Sequence, residues 1–118
     1  MALPKKLRLV KDSDFAKFRK PIRVFRDNAI VLKIAEGKKT GRRFAVSLPR
    51  KAGNAVSRNR IRRVLLEWIR NHLESFPEGF DFLVIIAGSN RNGKPDSVDL
   101  RDRLERLAGK ALDDLEKA

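Results

Sequence analysis

The apolar positions of this chain change period along its length, and the changes mark out its elements. Asp12 or Ser13 can cap a short helix over residues 14–20, which sets Phe15 and Phe18 one turn apart on one face; Pro21 stops it. Residues 23–26 are short enough for an edge strand, and residues 29–34 are richer in β-branched residues and read as a second strand. After a basic turn at 37–41, Phe44, Val46 and Leu48 alternate with Arg43, Ala45 and Ser47, the pattern of a half-buried strand, which Pro49 ends.

From about Asn54 to about Glu74 the period becomes helical. Ile61, Val64, Leu65, Trp68 and His72 fall on one narrow face, with Asn59, Arg60, Arg62, Arg63 and Arg70 opposite and Arg58 near the boundary. An exit turn at 76–79 leads to residues 82–87, a nearly continuous apolar run that predicts a central strand covered on both faces. A polar loop at 88–95 precedes a last helix starting near Asp96 or Ser97. Its stripe is Leu100, Leu104, Leu107, Ala111 and Leu115, and Asp99 and Asp102 suit its first turns. This order of helix, strands, helix, strand, helix predicts an α+β sandwich with an antiparallel-rich sheet, residues 1–118 forming a single domain. Residues 1–10 are basic and unpatterned and read as a flexible arm.

Charge sharpens this picture. The net charge is +13, and residues 1–70 hold 21 Lys and Arg against 5 acids, whereas residues 71–118 hold 7 against 10. From Arg50 to Arg63 there are six basic residues and no acidic one. On a helix anchored by its apolar stripe, such a cluster is a prepositioned polyanion surface, since a merely solvated face normally mixes both signs. The 42% hydrophobic content is ordinary for a globular chain, so the charge does not imply disorder. No apolar run reaches the roughly 18 residues needed to span a bilayer, and the N-terminus lacks a secretory apolar segment. The expectation is a cytoplasmic protein without a membrane partner.

The inventory for protein-based catalysis is poor. There is no cysteine, and the single histidine, His72, falls on the apolar face, where packing or capping is the expected role. The carboxylate pairs Asp12/Asp14 and Asp113/Asp114 lie in highly charged sequence. No phosphate loop, zinc spacing or dinucleotide fingerprint occurs. Neither a KH glycine loop nor an aromatic RNP signature is present, so the common RNA modules do not fit. If RNA is processed, the reacting group comes from elsewhere.

The run Lys51-x-Gly53-Asn54-Ala55-Val56-x-Arg58-Asn59-Arg60-Ile61-Arg62-Arg63 resembles the Arg-Asn-Arg signature of the bacterial ribonuclease P protein subunit. Leu7-Arg8-Leu9 with Asp14-Phe15, the strand Phe44–Ser47 and the segment from Pro77 to Phe82 extend the resemblance to essentially the whole chain. It implies a protein cofactor of a ribonucleoprotein that removes the 5′ leader of precursor tRNA, with catalytic Mg2+ held by the RNA subunit and substrate. It implies also a βαβ crossover of left-handed sense, against the general preference. By the resemblance, Arg50, Lys51, Gly53, Asn54, Arg58, Asn59, Arg60, Arg62 and Arg63 contact the catalytic RNA subunit, and Phe15, Phe18, Lys33 and Ser47 line a cleft for the single-stranded leader. Arg19 and Lys33 stand where the family often has aromatics, and Leu66 where a further basic residue is common; a lysine in the cleft can still hold a leader phosphate. Two other readings compete. A small ribosomal RNA-binding protein would more typically carry long basic extensions, and a helix-turn-helix protein does not explain the apolar strand after the basic helix.

Overall fold

A computed structural model describes residues 3–87 and 96–117. Four strands, β1 (Arg23–Arg26), β2 (Ile30–Glu36), β3 (Arg42–Ser47) and β4 (Phe80–Ile86), form one sheet in the order β1-β2-β4-β3. The pairs β1/β2 and β2/β4 are antiparallel, and β3/β4 is parallel. Helix α1 (Asp12–Ala16) precedes the sheet, α2 (Ala55–Asn71) makes the crossover from β3 to its neighbour β4, and α3 (Ser97–Lys117) closes the chain. The expected α+β class and element order hold. The polar loop expected at 88–95 lies outside the described residues. No described helix is long and apolar enough to cross a membrane.

The sheet has two unequal faces because strand side chains alternate. Ile30, Leu32 and Ile34 of β2, Phe44 of β3, and Phe82, Val84 and Ile86 of β4 share the main core with Ile61, Leu65 and Trp68 of α2 and with Leu100, Leu104 and Leu107 of α3. Phe44, Phe76 and Phe82 fix the start of β4 under α2, with ring centroids 5.0–5.2 Å apart. The opposite face carries a small second core of Leu9, Phe18, Ala35 and Leu83. Beyond that core Val31, Lys33, Ile85 and Ser47 are left only partly covered or exposed.

Several expectations need correction. β4 starts at Phe80, two residues earlier than the apolar run suggested, and takes in the buried Asp81. Helix α1 spans Asp12–Ala16 and continues as a 3-10 turn, Lys17–Arg19, so Asp12 and Ser13 are inside it. Asp14, the third residue of the helix, reaches back to the chain that enters it: its Oδ2 accepts from the backbone N–H of the N-cap Lys11 at 3.0 Å and of Val10 at 3.3 Å. On α2, Ile69 is buried in the core, whereas His72 is exposed and forms the helix C-cap. The His72 ring stacks on Trp68 at 4.2 Å, and its Nδ1 lies 2.8 Å from the Trp68 carbonyl. The N-terminal segment, expected as a flexible arm, is docked from residue 3 onward: Leu3 and Leu9 are buried, and Arg8 forms a parallel bridge with Phe44 through Leu9 N–H to Phe44 O at 3.0 Å.

Candidate nucleic-acid interface

The lead-in to α2 is built by three residues of the sequence signature. Gly53 adopts φ +138°, and a Cβ there would come within 3.0 Å of Ser57 Cβ, so only glycine suits the position. Asn54 then caps the helix, its side-chain oxygen accepting from Ser57 N–H at 2.9 Å. Arg50 and Lys51 sit in the preceding 3-10 turn, whose Ala52 is buried and anchors it. Helix geometry carries the rest. Asn59, Arg60 and Arg63 point away from the core and are exposed.

Arg58 and Arg62 behave differently. Both are half-buried on the flank of the core stripe, so Arg62 leaves the outward face on which periodicity placed it. Arg62 turns toward the sheet, its Nη1 within 3.5 Å of Asn59 Oδ1. Arg58 Nε is buried with no hydrogen-bond partner among the described residues. Such an orphaned donor costs free energy unless something outside the chain meets it.

The contrast with the other arginines is the main electrostatic fact. Arg23, Arg42, Arg43 and Arg103 each pair with a carboxylate. Among the described residues no ion pair joins Arg50, Lys51, Arg58, Arg60, Arg62 or Arg63 to an acidic group. The positive potential of this face is therefore uncompensated by the protein itself.

Beside α2 lies a cavity of about 360 Å³, bounded by Arg8, Phe15, Ser47, Leu48, Arg62 and Leu66 among others. Phe15 stands at its rim, 36% exposed. Phe15, Ser47 and Arg62 are thus brought together. Phe18 is not: it is 3% exposed and serves the second core. Lys33 is on the same sheet face, but pairs with Leu83 of β4, which in turn pairs with Ala45 of β3, so it stands two strands (about 10 Å) away from β3. Leu66, where a further basic residue was considered, supplies an apolar wall.

The position of Phe15 depends on residues that sequence reading did not single out. Asp81, 1% exposed, receives Lys17 Nζ at 2.5 Å and Arg43 through Nη2 at 2.9 Å and Nε at 3.3 Å. Arg43 Nη1 also reaches Asp14 Oδ1 at 3.1 Å, tying α1 to the sheet. The backbone N–H of Lys11 is the largest influence on the Asp14 carboxyl; burial opposes it, but with the Val10 amide and the Arg43 guanidinium added the carboxyl is held below its ordinary 3.8. The available signal was an acid inside an otherwise apolar strand, Phe80–Ile86, which demands a buried partner. The remaining carboxylate pair is also engaged: Asp114 accepts from Arg23 at 2.6 Å, and Asp113 pairs with Lys117 at 3.4 Å. Among the described residues these acids face cations rather than one another.

Comparison with known proteins follows the same lines. Residues 3–112 match the family described as Ribonuclease P. The chain is 33% identical to the ribonuclease P protein component of Clostridium kluyveri over 106 residues, covering 88% of this chain and 93% of that protein. A shorter match, 46% identical over 57 residues, links it to the component of Desulforamulus reducens, covering 48% of this chain and 50% of that one. The fold is similar to that of the RNase P protein of Staphylococcus aureus, with a TM-score of 0.78 at 25% identity over 91% of this chain and 96% of the other.

Proposed function

The chain belongs to the bacterial ribonuclease P protein family and so is a component of that tRNA-processing endoribonuclease; from that premise we propose how it works. Its α2 face docks on the catalytic RNA subunit, and the cleft beside it binds the 5′ leader of precursor tRNA. The observation that carries the reading is the set of six cations from Arg50 to Arg63 that no carboxylate of the described chain neutralises. RNA backbone phosphates supply the missing counter-charge, and their binding releases condensed counterions. Arg58, half-buried and without an acidic partner among the described residues, offers its guanidinium to a phosphate oxygen. Gly53 and the Asn54 cap set where the helix starts, and so where the guanidinium groups stand.

In the cleft, Phe15 offers a ring for a leader base, while Arg62 and Ser47 beside it and Lys33 across the sheet face offer charge and hydrogen bonds to the backbone. Phe18 supports this surface from below. Magnesium, in this reading, is held by RNA subunit and substrate and supplies the Lewis acid and activated water when bound. The protein's contribution is to hold the leader strand, working in the cytoplasm.

The test is twofold. Sequencing the RNA that co-purifies with the protein should return one abundant, long structured RNA; ribosomal RNA in its place would contradict the assignment. Omitting the RNA subunit from a cleavage assay should abolish hydrolysis of precursor tRNA, whereas cleavage by the protein alone, lost on mutating its own carboxylates, would overturn the cofactor role.

A further inference from the structure

A second cavity, of about 260 Å³, opens at the end of β3 opposite the α2 junction. It is bounded by the 3-10 turn Lys5–Leu7 and the connection from β2 to β3, which bring Lys5, Lys6, Arg8, Lys38, Arg42 and Arg43 around one space. The single carboxylate there is Asp81, already matched by Lys17 and Arg43. The side chains of Lys5, Lys6, Arg8 and Lys38 have no hydrogen-bond or ion-pair partner among the described residues. Arg42 makes only a long contact to Glu78, 3.7 Å, and its Nε is buried without any partner. A cavity with this surplus of donors and so little acceptor capacity suits an anion with several oxygens.

Its placement narrows the ligand. Arg8 lines both this cavity and the Phe15 cleft, and the bridge from Arg8 to Phe44 fixes that segment along β3. The two sites therefore share Arg8 as a common wall and lie along the same strand, spaced by the length of β3 from Arg42 to Ser47, about 16 Å. We propose that the Lys5–Lys6–Lys38 cavity holds a backbone phosphate of the same RNA strand that lies on the Phe15 cleft, several nucleotides further along it. This rests on the leader-binding reading and extends it: the strand is gripped at two places, over a ring in the cleft and by a phosphate in the cavity.

The experiment uses the assembled ribonucleoprotein and precursor tRNAs with leaders of about 4 and about 12 nucleotides, the range that single-strand grooves span. Lys5, Lys6 and Lys38 are exposed, so Lys5→Ala, Lys6→Ala and Lys38→Ala together should leave the urea midpoint unchanged. The triple variant should bind the long-leader precursor about tenfold or more weakly, with a salt slope shallower by about two to three, and the short-leader precursor as wild type does. Equal losses on both precursors, or no loss on either, would overturn the proposal. A Phe15→Ala variant, measured on the same precursors, separates the two readings. If it weakens precursor binding while the triple variant keeps full long-leader affinity, the cavity alone is refuted; if it too binds both precursors as wild type does, the leader-binding reading fails with it.

Discussion

Arg43 grips Asp81 with two nitrogens, at 2.9 and 3.3 Å, while its third nitrogen holds Asp14, so one guanidinium ties the buried start of β4 to the helix that carries Phe15. Asp81 has a second cation, Lys17, which shares its Oδ2 with Arg43 Nη2. Removing its charge would leave two cations facing each other near the second core. Asp81→Asn should destabilise the fold by about 3 kcal/mol and loosen α1, read as a lower urea midpoint and a weaker preference for precursor tRNA. Gly37→Ala should act through the same site, because a Cβ there would lie 2.8 Å from Asp81 Oδ1. A wild-type midpoint for both variants would show that this network does not position α1.

Acid should unfold the protein through groups that can be named. Asp14 is held below its ordinary value, chiefly by the Lys11 amide. For Asp27, burial pushes the carboxyl up, but the amides of Ala29 and Ile30 and the Arg103 guanidinium outweigh it and leave it lowered. A carboxylate depressed in the folded state adds stability above its unfolded pKa, near 4, and loses it as pH falls through the folded value. Urea midpoints should therefore be flat near neutrality and fall below about pH 4, with a smaller fall in Asp14→Asn. An unchanged acid limb in that variant would remove Asp14 from the account.

Affinity for the RNA subunit should depend steeply on salt. If five or six of the uncompensated cations displace counterions, log K should fall against log salt with a slope of about −4 to −5. A slope shallower than about −2 would mean that most of the cluster never meets phosphate.

The two sides of α2 should separate in mutagenesis. Arg60→Ala and Arg63→Ala should each cost on the order of 1–3 kcal/mol in assembly and leave the fold intact, since both are exposed. Trp68→Ala removes a ring that is 8% exposed, packs on Phe76 and donates to Glu105 at 3.2 Å; it should cost about 3–5 kcal/mol of stability. A folded Trp68→Ala with unfolded arginine variants would reverse the assignment of faces.

Long-period information was legible in the sequence. The stripe Ile61, Leu65, Trp68 and the stripe Leu100, Leu104, Leu107 are both buried as spacing required, because a helix repeats its direction every 3.6 residues. Depth was not legible. A regular helix over 14–20 would give Phe15 and Phe18 one direction, yet Phe15 lies in α1 on a cavity rim, whereas Phe18 lies in the 3-10 turn that follows and is buried with Leu9, Ala35 and Leu83. Asp81 was hidden for a related reason: its charge read as the boundary of an apolar strand, whereas Arg43 and Lys17, far off in sequence, allow it inside. The pairing of Arg8 with Phe44, which turns a basic arm into a wall shared by two cavities, is a long-range contact that no local pattern encodes.

The leader cleft is the central claim, and it is tested most directly by the ratio of dissociation constants for precursor and mature tRNA in the assembled enzyme, at fixed salt and magnesium. Phe15→Ala, with Lys33→Ala as its companion on the same sheet face, should weaken precursor binding about tenfold or more and leave mature tRNA nearly unchanged, because stacking on an aromatic ring is worth about 1–3 kcal/mol per base. The ratio should therefore collapse toward one. If both ligands weaken equally, Phe15 and Lys33 do not bind the leader, and the cleft has been assigned to the wrong strand.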